Sequence, residues 1–88
     1  MITQAACLIT FDEGKTAHII PLHRHGDITK ILKAFGYKPH KGYKILEQGF
    51  IDNHGNFFDR IEAMNEAKMW KQLLIGEEKE KLFSENLY

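Results

Sequence analysis

Arg24 sits between two histidines, His23 and His25, with Gly26 and Asp27 directly after them. Asp27 opens a helical pattern, so this arginine stands just ahead of an expected helix start. Free N–H groups at a helix N-terminus attract anions, and a neighbouring arginine can grip a phosphate through two parallel hydrogen bonds. Gly26 would let a ligand come close to the main chain. The plainer alternative is a surface pair between Arg24 and Asp27 or another nearby carboxylate. Arg60 is the second cation of interest. It falls at the first position of the second expected helix, beside Phe57 and Phe58, where a positive charge opposes the helix dipole at a cost of tenths of a kcal/mol. That placement fits an anionic ligand or partner, and it fits surface decoration equally well. Phe50, Phe57, Phe58, Tyr37 and Tyr43 read mainly as core or sheet-face residues, though one could stack on a base.

Other chemistry has less support. The chain has five histidines, which invites a metal reading. His23 and His25 are two apart, while His18, His40 and His54 are scattered. A structural zinc site prefers paired Cys/His spacings, Cys7 has no near partner, and the Arg24 charge opposes a cation, so no metal site is expected. Ser84 beside Glu85 lacks the glycine-framed turn of a hydrolase nucleophile. The glycines form neither a P-loop nor a dinucleotide fingerprint. Carboxylate pairs such as Asp52 and Asp59 belong to turns and caps. The expectation is a binding protein with no catalytic residue and no cofactor.

These residues are carried by a simple element order. Ala5 to Phe11 and Thr16 to Leu22 read as strands around the polar break Asp12-Glu13-Gly14-Lys15, which suggests a β-hairpin. After the histidine loop, Asp27 is the expected N-cap, and Ile28, Ile31, Leu32 and Phe35 form one apolar helical face closed by Gly36. Tyr43 to Ile51 is the third strand, Asp52 to Asn56 a turn, and Phe57-Phe58 a short fourth strand. Asp59 with Glu62 three residues on predicts a capping box. Ala63, Ala67, Trp70 and Leu74 then make an apolar stripe, widened by Met64 and Leu73, in a helix ended by Gly76. Glu77 to Lys81 reads as a solvated connector, and Leu82 to Tyr88 as a tail apolar enough to dock. The order ββ-α-ββ-α predicts an α+β fold, one antiparallel sheet of about four strands with two helices packed on it.

The chain of 88 residues predicts a single domain over residues 1–88 with a thin core, for which oligomerisation is a common source of buried area. Its formal net charge is zero, whereas nucleic-acid binders usually carry a basic excess, so nucleic acid is an unlikely partner. The lone Cys7 can form no intrachain disulfide, which fits a reducing compartment, and it reads as a small buried hydrophobe. No segment approaches the ~18 apolar residues of a membrane helix, and no signal peptide is evident, so a cytoplasmic location is expected.

Two stretches carry a resemblance. The segment Gly49-Phe50-Ile51-Asp52-Asn53-His54-Gly55-Asn56-Phe57-Phe58-Asp59-Arg60-Ile61-Glu62-Ala63 is similar to the GF-x-x-x-x-G-x-F-x-x-R-x-E-A pattern of a family of small phage-encoded proteins. The ending Leu82-Phe83-Ser84-Glu85-Asn86-Leu87-Tyr88 resembles that family's L-x-S-E-[DN]-L-[YW] terminus, and Arg24-His25-Gly26-Asp27 its R-H-x-D. Together they resemble the phage anti-Thoeris proteins, sponges for cyclic ADP-ribose isomers, some of which also bind cyclic oligonucleotides. The resemblance implies an oligomer with pockets between subunits, in the host cytoplasm, that holds a cyclic nucleotide signal without cleaving it. It implies that Arg24 and Arg60 contact phosphates with His25 as a helper, that Phe50 stacks on adenine, and that Glu85 or Asn86 bonds to base or ribose. The stretch Met69-Trp70-Lys71-Gln72-Leu73-Leu74 departs from the alanine-rich, Gly-Gln-containing stretch usual there. The alternative expectation is an adaptor or inhibitor that blocks a host protein through an exposed apolar patch.

Overall fold

Alternation along the strands decides which side of the sheet is buried. In a computed structural model that describes residues 1–11, 16–38, 41–77 and 79–88, the elements are β1 (Ile2–Phe11), β2 (Ala17–Leu22), α1 (Asp27–Ala34), β3 (Tyr43–Asp52), β4 (Phe57–Asp59) and α2 (Arg60–Met69), followed by a 3-10 turn over Ser84–Asn86. The strands form one antiparallel sheet in the order β2-β1-β3-β4. The fold is α+β, as the element order predicts. The polar break at residues 12–15 and His40 lie outside the described residues.

Ala5, Cys7 and Ile9 point to one face of β1, and both helices pack there. Near α2 the buried cluster is Ile2, Ala5, Phe50, Ala63, Met64, Ala67 and Leu82. Near α1 it is Cys7, Ile9, Leu22, Ile28, Leu32 and Tyr43. The small residues Ala63 and Ala67 let α2 approach the sheet closely. Gly49 is required for a similar reason: a Cβ there would lie 2.1 Å from the Phe58 carbonyl oxygen and 2.7 Å from the Phe57 ring.

Turn chemistry sets the joints. At the β3–β4 turn one Asp52 carboxylate oxygen accepts from the main-chain N–H of His54 and of Asn56, both at 2.9 Å, and Gly55 supplies the positive φ of 82°. Burial alone would raise the Asp52 pKa, but the hydrogen bonds from Asn56 and His54 outweigh it and hold the carboxyl below its ordinary value. The capping box forms as the sequence predicts. Asp59 accepts from the Glu62 N–H at 2.8 Å, and the Glu62 carboxylate accepts from the Asp59 N–H at 3.0 Å. This fixes Arg60 as the first residue of α2.

The helices depart from expectation in three places. Gly26, not Asp27, is the N-cap of α1, and Asp27 is its first residue. Phe35 lies past the end of α1 and is 75% exposed rather than part of the buried face. α2 stops at Met69 instead of reaching Leu74. Lys71 takes a left-handed φ of 52°, its N–H bonds to the Lys68 carbonyl, and the Gln72 N–H bonds to the Ala67 carbonyl at 2.8 Å. These are the two bonds of a Schellman stop, here with lysine where glycine is usual. The Gln72 amide explains the stop. It accepts from the Ile2 N–H at 2.9 Å and donates to the Ile2 carbonyl at 2.6 Å, pairing a stretch of β1 that β2 does not reach. Trp70 and Leu73 therefore leave the expected stripe and stand 61% and 94% exposed, while Leu74 still packs on the core. The tail docks: Leu82, Ser84 and Asn86 are buried.

Candidate functional site

The end of β2, the middle of β3, the start of α2 and the tail converge on His25. The β2–α1 turn carries Arg24 and His25. It is closed by the Asp27 N–H donating to the Arg24 carbonyl at 3.0 Å and the Arg24 N–H donating to the Asp27 carboxylate at 3.3 Å. Asp27 thus engages the main chain of Arg24, and the guanidinium goes elsewhere. Arg24 Nη2 donates to the Tyr88 main-chain oxygen at 2.5 Å, and its guanidinium lies 5.1 Å from the centroid of the Tyr88 ring. His23 stacks with the same ring at 4.4 Å. The Tyr88 hydroxyl accepts from the Ala5 N–H at 3.1 Å and donates to the Leu22 carbonyl at 3.3 Å.

His25 is buried, with its ring edge-on to Phe50 at 5.1 Å. Its Nε2 lies 2.7 Å from the Gly49 carbonyl oxygen, and its Nδ1 lies 3.4 Å from Arg60 Nη2. A carbonyl can only accept and a guanidinium can only donate, so the partners fix the tautomer: Nε2 carries the proton and Nδ1 is bare. Burial pushes the His25 pKa down, and the Arg60 charge adds to this, while the Gly49 hydrogen bond and Glu85 oppose it. The net direction is downward, so the ring is neutral at pH 7.

Arg60 Nη2 also donates to Gln48 Oε1 at 3.0 Å, and the guanidinium lies 5.4 Å from the Phe83 ring centroid. The Arg60 carbonyl accepts from the Leu82 N–H at 2.9 Å, which ties the tail to the same residue. Arg24 Nη1 and Arg60 Nε are enclosed and have no acceptor among the described residues. Beside Arg60 a groove of about 380 Å³ runs along Ile45, Leu46, Glu47 and Gln48. A second hollow of about 180 Å³ is lined by Glu47, Asp59, Arg60, Ile61 and Lys81.

Of the six expected ligand residues, His25 and Arg60 touch each other, the Arg24 guanidinium is held on Tyr88 of the tail, and the exposed Glu85 is near enough to act on His25 electrostatically. Phe50 is different. It is fully buried beneath the His25 ring and presents no open face on which a base could stack. The Asn86 amide is committed to the fold. It accepts from the Phe83 N–H at 3.0 Å and donates to the carbonyls of Ile75 and Glu77 at 2.8 and 3.3 Å. Among aromatics the half-open one beside Arg60 is Phe83. Gln48, Phe83 and Tyr88 were not singled out from the sequence. Strand parity could have found Gln48, which is two residues before Phe50 and opposite Cys7 in register. Cys7 itself is buried, which raises its thiol pKa to about 11 despite the nearby Arg60 charge. It is a neutral core thiol, as the sequence suggests.

The family profile described as Phage T4 y16D protein matches residues 1–88. The chain belongs to that family. No curated protein and no solved structure matches it. In this y16D-family chain the segment 49–63 supplies Phe50 and Arg60 from adjoining elements, and the tail supplies Phe83 and Tyr88 as platforms beneath the two arginines. No described helix is long and apolar enough to cross a membrane.

Proposed function

We propose that this phage protein binds a compact cyclic nucleotide signal, a cyclic ADP-ribose isomer or cyclic oligonucleotide, and sequesters it without cleaving it. One observation carries the reading. Arg24 and Arg60 are both seated on tail aromatics, and each keeps an enclosed guanidinium N–H without an acceptor among the described residues. A buried unpaired donor costs about 1–3 kcal/mol, and more when charged. Both atoms are enclosed, so a phosphate oxygen reaches Arg24 Nη1 or Arg60 Nε only as the covering side chains shift, and once there it removes that cost and makes a charge-assisted bond. Phe83 is the aromatic available to a base, and Glu47 in the groove can accept from ribose hydroxyls. A groove this open covers only part of a nucleotide, so the reading includes an oligomer in which a second copy closes the site. Holding a ligand in this way needs no general acid or base, and the neutral His25 is occupied on both ring nitrogens.

The test is thermal stability against cyclic ADP-ribose isomers, cyclic di- and trinucleotides and plain ADP-ribose. A ligand at a hundredfold excess over Kd adds about 2.7 kcal/mol to stability. One cyclic compound raising the melting point by about 10 °C or more, and recovered intact, is the expected result. Arg24→Ala and Arg60→Ala each abolish the shift. If none of the compounds moves the transition, the reading fails.

A second reading rests on a separate observation. Met69, at the end of α2, and Trp70, Leu73 and Ile75 beyond it are large apolar side chains that are mostly exposed. Such a patch suits an adaptor that blocks a host protein. It predicts a captured partner that is lost with Trp70→Ser and unaffected by Arg24→Ala.

A further inference from the structure

We propose that His25 is the positioning residue of Arg60: its neutral ring, anchored on the Gly49 carbonyl, locks the Arg60 guanidinium against Gln48. Arg60 has a long flexible stem, and a free guanidinium would sample many rotamers before meeting an anion. Here both Nη2 protons have acceptors on the protein, Gln48 Oε1 at 3.0 Å and His25 Nδ1 at 3.4 Å. Those two acceptors fix the plane of the guanidinium, with Nε enclosed and without an acceptor among the described residues. The His25 ring can act as an acceptor only because its other nitrogen donates to Gly49 at 2.7 Å. Gly49 sits in the β3–β4 ladder opposite Asp59, so its carbonyl is presented from a paired strand. That the locked cation serves an anionic ligand rests on the reading above. The lock itself does not.

The arrangement contains its own acid switch. Protonating Nδ1 turns the acceptor into a donor facing Arg60, and two cations then stand a hydrogen bond apart. The groups facing His25 are Arg60 from α2, the Glu85 carboxylate from the tail, and the Gly49 carbonyl and the Phe50 ring from β3, while on its own turn the Arg24 guanidinium is held on Tyr88 and the Asp27 carboxylate on the Arg24 main chain. Cys7 on β1 lies near Arg60 but is a neutral thiol. Burial and the Arg60 charge favour the neutral ring, the Gly49 hydrogen bond and Glu85 favour the protonated one, and the balance lies below the ordinary histidine value of 6.5. With the folded value below the unfolded one, the His25 contribution to stability is fully present above pH 6.5. It is lost as pH falls from there through the folded pKa. Asp52, whose folded value lies below 3.8, acts in a lower window and does not confuse the two.

The experiment uses the full chain without ligand, so it separates the lock from the proposed function. Nitrogen NMR of the imidazole and guanidinium groups is recorded from pH 8 down to pH 4.5. Expected at pH 8 are a bare Nδ1 and a protonated Nε2 on His25, with slowed rotation and resolved Nη signals for Arg60. On acidification His25 protonates below pH 6.5, and the Arg60 signals collapse with the same midpoint. His25→Gln, which offers a donor and an acceptor but does not titrate, keeps Arg60 ordered across the range. His25→Leu loses that order at every pH. Freely rotating Arg60 in wild type at pH 8, or Arg60 order that ignores His25 protonation, overturns the proposal. The wild-type titration decides the matter even if neither variant folds. Binding of cyclic ADP-ribose, followed in parallel, reports on the sponge reading alone.

Discussion

Replacing Tyr88 by phenylalanine removes one oxygen and nothing else from the tail. The ring still stacks on His23 and lies under Arg24. What is lost is the hydroxyl that accepts from the Ala5 N–H at 3.1 Å and donates to the Leu22 carbonyl at 3.3 Å. Ala5 has no exposed surface, so its N–H cannot turn to water. An orphaned buried donor costs about 1–3 kcal/mol. For 88 residues the unfolding entropy is about 0.18 kcal/mol/K, so each kcal/mol moves the melting point by about 5 °C. Tyr88→Phe should therefore melt about 5–15 °C below wild type. The assay is circular dichroism during heating, with urea unfolding as a check that the m-value is unchanged. A melting point within about 2 °C of wild type would falsify the claim that this hydroxyl closes the β1–β2 edge. Because the ring remains, ligand protection should survive the substitution, which separates this role from that of Arg24.

Two further outcomes follow from local geometry. Lys71 occupies a left-handed position that glycine fills at lower cost, so Lys71→Gly should stabilise the protein by about 0.5–1 kcal/mol, read from urea midpoints. A loss of stability there would mean that the lysine side chain holds something the backbone does not reveal. Cys7 is buried and its thiol pKa is about 11, so iodoacetamide at pH 8 should label the urea-unfolded chain and leave the native one unmodified. Rapid labelling of native protein would show that the β1 core opens on its own.

The fold was largely legible because its signals are local. The Asp59–Glu62 capping box, the Asp52–Asn56 turn and the alternation in β1 each need only a few residues to act. Expectation failed where distant parts of the chain decide. The periodicity from Ala63 to Leu74 describes a longer helix, but the Gln72 amide has a better use on Ile2, 70 positions away. β1 starts at Ile2 rather than Ala5 because it is paired with the far end of β3. The site shows the same division. Arg24, His25 and Arg60 could be picked out by residue type and by their places at helix starts. For Phe50 and Asn86 the sequence does not say whether a side chain faces outward or inward, and the structure buries both. Strand parity put Gln48 on the Phe50 face, but its bond to Arg60 spans two elements and is not written in the local sequence.

Tyr88 and Ala5 bond across 83 positions, and Arg24 meets Tyr88 across 64. Contacts so distant in sequence raise contact order and slow folding, because loop closure must be met before the contact rewards it. On a ribosome the central strand β1 emerges early, yet its neighbour β3 follows some forty residues later and the tail later still. Until residue 88 is out, Arg24 has neither its aromatic platform nor its carbonyl. The nascent chain can assemble a sheet, but it has no finished site, and β1 must wait with an open edge that a chaperone or a neighbouring nascent chain could occupy first.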